Sequence, residues 1–350
     1  MKPNSEPSGS LRLFFFGPGT GESIALHLPD GQWGLIDCYI GSKETGTGVL
    51  EFLSDKKVEE LAFFCLTHPH ADHYLGAERV FDRYKGKIAR FWQWDGLTTK
   101  ALETRAIVAA KVRALKRKGS RADEFAEGLL AVIAAIGTAR KEVSDYRRVT
   151  SPASLLKGSD YEISVIRPSH NQVADIEDKI LLKKVDEGYL VLNEDEEGSL
   201  INNLSIVLLI EFGEARVLLL GDAEGASEAL HDSITQFSAV KIAHHGSCNG
   251  LGADGFQCPP GAKASIPCLV ITPFMKSRLP RAEMIERYRG ATRELILTGA
   301  SPLLVQPKVI PPTLQNARLV NGPGRWHGVE ILPTGEVRAL ADLGIGSSVA

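Results

Sequence analysis

The chain predicts an α/β fold, and three observations carry that prediction. Short apolar runs alternate with stretches of helical spacing along most of the 350 residues. Two of the runs lead into Asp or His beside a glycine, at Leu220-Gly221-Asp222 and at Ile242-Ala243-His244-His245-Gly246. A third run, Leu61 to Leu66, opens onto Thr67-His68-Pro69-His70-Ala71-Asp72-His73, which gathers three imidazoles and a carboxylate into six residues. The hydrophobic share of 43% and charged share of 24% are those of a globular protein able to bury a substantial core.

The elements follow in order. Residues 11–16 and 24–28 read as strands around the turn Gly17-Pro18-Gly19-Thr20-Gly21. A third strand, Trp33 to Ile36, follows Pro29-Asp30-Gly31 and ends at Asp37, completing an opening meander. After Gly46-Thr47-Gly48 a helix runs through Lys56, then come the strand 61–66, helical spacing over 75–84 and a strand over 88–92. Residues 99–146 lack proline and are rich in Ala, Leu, Arg, Lys and Glu, which predicts a helical insertion. Two helices, about 99–117 and 121–145, break at Gly119-Ser120. The first carries Lys100, Arg105, Lys111, Arg113, Lys116, Arg117 and Lys118. That face is either ordinary solvation with cations at a helix C-terminus, or a surface that binds a polyanion, a second copy or a protein partner.

From residue 160 the β character returns, with strands over 161–166, 205–212 and 215–220, the last two joined at Gly213-Glu214. The acidic stretch Asn193 to Glu197 reads as a loop. Short strands follow at 241–243, 268–272 and 295–298, with a helix over 281–289 opened by Pro280. Residues 328–340 form a closing hairpin around Pro333-Thr334-Gly335. Residues 1–10 read as a flexible tail, 11–350 as one domain, and about 300–350 as a C-terminal β extension.

The bulk numbers set bounds. A net charge of −3 argues against a wide basic surface but leaves room for a local groove. The five cysteines, Cys38, Cys65, Cys248, Cys258 and Cys268, form no C-x-x-C pair, so a reduced compartment is the simpler expectation. No apolar stretch approaches 18 residues, and the chain is expected to be cytoplasmic, with no membrane partner.

Imidazole and carboxylate are the ligand types that borderline divalent metals prefer. If the segment after Leu66 is extended, His68 and His70 point the same way. Asp72 and His73, one turn further, then face a second position beside the first. Asp222 is a carboxylate at a strand end that could bridge two metals with its two oxygens, and His244-His245 repeats the device of strand, donors and permissive glycine. Each of these later signals is weak alone, since an Asp after a strand is usually a turn former. Together with the first loop they point to a metal centre.

These motifs resemble the metallo-β-lactamase superfamily over residues 11 to 299. The resemblance implies an αββα sandwich, here with the helical insertion at 99–146. Gly34-Leu35-Ile36-Asp37 looks like the family's first motif, which implies that Asp37 supports the metal loop from behind. His68, His70, Asp72 and His73 match the signature loop, and Asp222 matches the bridging carboxylate. The phrases "LTHPHADHYLGA", "NNLSIVLLIEFGEARVLLLGD" and "KIAHHGS" are most similar to the hydrolase domain of the ComEC/Rec2 DNA-uptake proteins and their stand-alone relatives. Those relatives include nucleases and phosphodiesterases. Many superfamily members supply a further His between the loop and the bridging Asp, and the histidine considered for that place here is His170.

The resemblance implies two divalent ions, Zn²⁺ with Mn²⁺ as alternative, holding a bridging hydroxide that attacks a phosphodiester in a nucleic acid or nucleotide. His68, His70, Asp222 and His170 are assigned to one ion, and Asp72, His73, Asp222 and His244 to the other. His245 is then left to contact a phosphate oxygen or protonate the leaving group, although His244 and His245 could exchange roles. Ser247 and Arg278 are candidate substrate contacts. The alternatives are hydrolysis of a carbonyl substrate (lactam, lactone or thioester), a non-catalytic metal-binding partner protein, and a redox flavoprotein partner, since some relatives use iron.

Overall fold

The computed structural model describes residues 9–17, 21–40, 48–96, 133–186, 194–225, 236–254, 266–298, 317–320 and 326–340. Residues 1–8 of the expected tail and the expected helices over 99–132 lie outside these described residues, whereas Ser10, also expected in the tail, is buried and donates to Glu330 Oε1 at 3.0 Å. The architecture is the α/β sandwich that the sequence predicts: two mixed sheets of eight strands each, with helices.

The first sheet begins with β1 (Leu11–Phe16), β2 (Ser23–His27), β3 (Trp33–Ile36), β4 (Phe63–Leu66), β5 (Arg90–Trp94) and β6 (Asp145–Val149) in spatial order. Strands β15 (Trp326–Ile331) and β16 (Val337–Leu340) complete it on the far side of β1, where Leu11 faces Ile331 and Phe16 faces Trp326. The second sheet holds β7 (Ala153–Lys157), β8 (Tyr161–Arg167), β9 (Val207–Phe212), β10 (Ala215–Leu219), β11 (Ala239–Lys241), β12 (Ile266–Ile271), β13 (Thr292–Thr298) and β14 (Ala317–Val320). The helices are α1 (Gly48–Asp55), α2 (Ala71–Tyr74), α3 (Ala77–Arg83), α4 (133–142), α5 (His170–Asp186), α6 (Glu194–Asn202) and α7 (Ala282–Ala291).

Side-chain alternation along β9 shows the layering. Leu208, Ile210 and Phe212 join the core shared with Leu13, Phe15 and Ile24 of the first sheet. Val207 and Leu209 join a second cluster with Met284, Ile285 and Tyr288 of α7. A strand buried on both faces needs apolar residues at successive positions, which explains the unbroken run Ile206 to Ile210. Each such side chain contributes on the order of 1.5–3 kcal/mol on leaving water.

Several expectations are corrected. The helix expected to reach 145 stops at 142, and residues 145–149 pair in parallel with β5, from Arg90↔Asp145 to Trp94↔Val149. A ladder on an otherwise open sheet edge, with Val149 buried, outweighs the weak helical preference of a stretch carrying Tyr and Val. The acidic segment read as a loop enters α6, and an acidic first turn suits a helix N-terminus. Strand β7 and helix α5 had no counterpart in the sequence reading.

Two runs of parallel neighbours place the site. β3 and β4 are parallel, as are β10, β11, β12 and β13, so the carboxyl ends of each set share one edge. A backbone bond from Ile206 N to Thr67 O, 3.1 Å, ties the two sheets there. Open sheets with parallel strands present their functional loops at this end.

Candidate metal centre

Asp37 is the first residue after β3, and it organises the donors of the first sheet. Its Oδ1 accepts from Thr67 N at 2.7 Å. Its Oδ2 accepts from Thr67 Oγ1 and from His73 Nδ1, both at 2.7 Å. Thr67 Oγ1, having given its proton to Asp37, is left to accept from His68 Nδ1 at 3.1 Å. Nδ1 is thereby the nitrogen that each ring commits to its neighbours, which leaves Nε2 as the atom that a metal would take.

The segment 68–73 is not extended throughout. After Pro69 and His70 it turns into α2, and His73 N donates to His70 O at 3.0 Å. The turn brings His73 back against His68, with ring centroids 4.2 Å apart, while His70 lies 4.9 Å from His68 on the other side. Gly21 allows this close approach: a Cβ there would stand 2.5 Å from the backbone oxygen of Asp72.

The second sheet supplies Asp222 and His245. Asp222 follows the left-handed Gly221 after β10, and its N donates to Ser205 Oγ at 3.2 Å. Its Oδ2 lies 3.3 Å from His73 Nε2, 3.4 Å from His245 Nε2 and 4.0 Å from His68 Nε2. Its Oδ1 faces Lys241 Nζ at 3.9 Å. Three imidazoles thus meet a single oxygen, whereas the sequence reading expected both oxygens to be used.

His245 is turned inward by its surroundings. Its Nδ1 donates to the Thr272 carbonyl at 2.7 Å, and its ring stacks on Phe274 with centroids 5.0 Å apart. Nε2 then faces Asp72 Oδ2 at 3.1 Å. His244 is turned the other way, its Nδ1 3.0 Å from Glu224 Oε1. Glu224 is itself held by Asn202 Nδ2 at 2.7 Å and Ser199 Oγ at 2.5 Å. The structure therefore brings His245 rather than His244 to Asp72, His73 and Asp222, the exchange that the sequence left open.

The donor set has the dimensions of a metal position. A tetrahedral ion with bonds of about 2.0–2.1 Å separates its ligand atoms by about 3.3–3.4 Å. Four edges among Asp72 Oδ2, His73 Nε2, Asp222 Oδ2 and His245 Nε2 measure 3.8, 3.3, 3.4 and 3.1 Å. His68 Nε2 and His73 Nε2 are buried with no hydrogen-bond partner. Buried polar atoms left unbonded are costly and call for an explanation. A divalent cation among these donors supplies one, so the residues fit the metal that the resemblance implies.

Charge follows the same geometry. Burial alone would lower the pKa of His73 and His245, but Asp222 and the neighbouring carboxylates outweigh it, holding His73 well above the usual range and pushing His245 up to about 10. His68 is held well below by burial and by the His73 and His70 rings. Burial pushes the Asp37 carboxyl up, against the His73 contact. Asp37, His244 and His245 all have positive φ (53°, 45° and 53°). Such backbone costs roughly 1–3 kcal/mol per residue and clusters where function requires it.

The remaining candidates are placed differently. His170 is exposed at the first residue of α5, and the structure does not bring it to the cluster. Ser247 is buried and donates to Asn249 Oδ1. Arg278 is exposed in a left-handed conformation on a loop closed by paired backbone bonds between Phe274 and Leu279. The sequence reading missed Glu22 and Lys241. Glu22 Oε2 lies 2.6 Å from Lys241 Nζ and accepts from Thr272 Oγ1, and Glu22 falls within the same buried donor cluster as His73, Asp222 and His245. The available signal was a lysine inside the apolar run Val240-Lys241-Ile242.

No protein-family model matches the chain. No curated protein is similar to it in sequence. Solved structures that are similar include a variant of the CmlA beta-hydroxylase, at 15% identity and TM-score 0.38, covering 85% of this chain and 46% of that one. This chain thus spans less than half the length of that enzyme. A diphosphatase from the PhnP family is similar at 12% identity and TM-score 0.40, with 89% and 96% covered. The metallo-beta-lactamase fold protein YhfI from Bacillus subtilis is similar at 9% identity and TM-score 0.39, with 90% and 98% covered. Among the described residues no helix is long and apolar enough to cross a membrane.

Proposed function

We propose that the protein is a metal-dependent hydrolase that cleaves phosphodiesters in a nucleic acid or nucleotide. The observation that carries the hydrolase reading is the convergence of Asp72, His73, Asp222 and His245 at metal-ligand spacing. His68 and His70, with Asp222, are the donors for a second ion, and Zn²⁺ or Mn²⁺ suits this all-imidazole-and-carboxylate set. Divalent ions held there would supply Lewis acidity and a nucleophile drawn from water at neutral pH.

The chain's own groups do the rest. Asp37 fixes the His73 ring through Nδ1, and the Thr272 carbonyl fixes His245 in the same way. His244, tethered at Nδ1 by Glu224, takes the outer role of contacting a phosphate oxygen or giving a proton to the leaving group. Ser247 and Arg278 are assigned to substrate contact. Phosphodiesters are preferred over lactams, lactones and thioesters because the metal-loop and His244-His245 motifs resemble the ComEC/Rec2-type branch.

The test is purified protein loaded with Zn²⁺ or Mn²⁺ and offered a chromogenic phosphodiester, plasmid and single-stranded DNA, RNA and a lactam. Cleavage of phosphodiesters is the expected result. Turnover of the lactam alone overturns the substrate assignment.

A further inference from the structure

The buried pair Lys241 and Glu22 has no part in the reading above. Lys241 is 1% exposed, yet a solvent-free ammonium costs several kcal/mol in desolvation unless well paired. Its Nζ lies 2.6 Å from Glu22 Oε2, 3.2 Å from the Gly221 carbonyl and 3.9 Å from Asp222 Oδ1. It therefore touches the two carboxylates that flank His73 and His245 on opposite sides.

Those sides are chemically distinct. Glu22 stands behind the rings, with Oε1 3.8 Å from His73 Nδ1 and Oε2 3.7 Å from His245 Nδ1. Both Nδ1 groups are already committed, to Asp37 Oδ2 and to the Thr272 carbonyl. Asp222 stands in front, with Oδ2 toward both Nε2 atoms. A bare carboxylate at position 22 would compete for the two Nδ1 protons and turn the rings. An Asp222 with nothing opposite Oδ1 would be free to rotate.

We propose that Lys241 is a positioning residue: it neutralises Glu22 behind the two imidazoles and faces Asp222 Oδ1, so that the Nε2 atoms and Oδ2 alone face the metal. Glu22 is accordingly a counter-ion and not a ligand, although it lies within the donor cluster. The inference rests on the metal position of the proposed function, but not on any substrate.

The test is a double-mutant cycle read by Co²⁺ titration of the metal-stripped full chain, following visible absorption for both affinity and coordination. Lys241→Met should weaken Co²⁺ binding by about 10–100-fold, the range for partners that orient ligands. Glu22→Gln should also weaken it, by leaving an unpaired ammonium beside Asp222. The double variant, with no buried unpaired charge, should bind better than either single variant by about tenfold. A role in packing alone would give additive losses. Single variants that bind like the wild type, or a double variant no better than the singles, overturn the proposal. If Lys241→Met does not fold, the comparison of Glu22→Gln with the double variant decides it by the same criterion. Wild-type protein that binds no Co²⁺ sinks the proposed function as well, whereas normal binding without the rescue sinks this inference alone.

Discussion

The two sheets deliver their halves of the candidate metal centre by different means. The first sheet supplies His68, His70, Asp72 and His73 from one stretch of six residues, and the His68 and His73 rings are directed by Thr67 and Asp37 at the ends of adjacent strands. The second sheet supplies Asp222 and His245 from loops 23 residues apart, each aimed by groups that come from elsewhere: Ser205, Lys241, Thr272 and Phe274. A compact motif can be oriented by its neighbours in sequence. A dispersed one depends on strand register.

The largest test of this contrast removes the group where both halves meet. Asp222→Ala should lower metal affinity by more than the roughly 100-fold associated with an orienting partner. Equilibrium dialysis with Zn²⁺ measures it, and a smaller loss would mean that each half holds an ion unaided. Next comes Asp37→Ala, which leaves every donor in place but frees the His73 ring. Metal affinity should fall about 10–100-fold with the fold retained.

The histidine pair gives a sharper discrimination. His245→Ala should lower metal content per chain, whereas His244→Ala should leave metal content intact and lower turnover of a phosphodiester by about 10²–10⁴-fold if it acts as a proton donor. Metal analysis alongside kinetics separates the two, and the reverse pattern would assign the ligand role to His244.

The smallest effect belongs to strands that give no donor. Arg12 on β1 pairs with Glu330 on β15 at 2.9 Å. Burial opposes ionisation of Glu330, but bonds from Arg12 and Ser10 outweigh it and hold its pKa below the usual value. A depressed folded-state pKa contributes stability above the unfolded value of about 4.3 and loses it as pH falls below that. Arg12 is well exposed, so solvent screening limits the contribution to about 1 kcal/mol at most. Glu330→Gln should therefore shift thermal midpoints slightly at pH 7 and not at pH 3, with metal binding unchanged.

This contrast also explains what could be read in the sequence. The opening meander, α1, the hairpin 326–340 and the donor loop were legible because periodicity, turn residues and ligand types all lie close together there. Asp222 was legible through a glycine at a strand end. The choice between His244 and His245 was not, because two residues of positive φ turn the rings apart and the partner that selects the inner one, Thr272, is 27 residues away. Strand β6 was not foreseen, and the expected helix ran into its first residue, because the strand's stability comes from pairing with β5, which local propensity does not report. Glu22 and Lys241 escaped because each looks like an isolated surface charge until the sheets are stacked.

The left-handed backbone at His244 has a consequence for directed evolution. Glycine there would relieve the conformational penalty at the cost of a ring that is only partly buried, so a library screened only for heat resistance should enrich glycine at that codon. Such clones would outlast the parent in a melting assay, keep their metal and turn over a phosphodiester poorly. Thermal selection on this protein should therefore be paired with an activity screen, since this codon is where the two demands conflict.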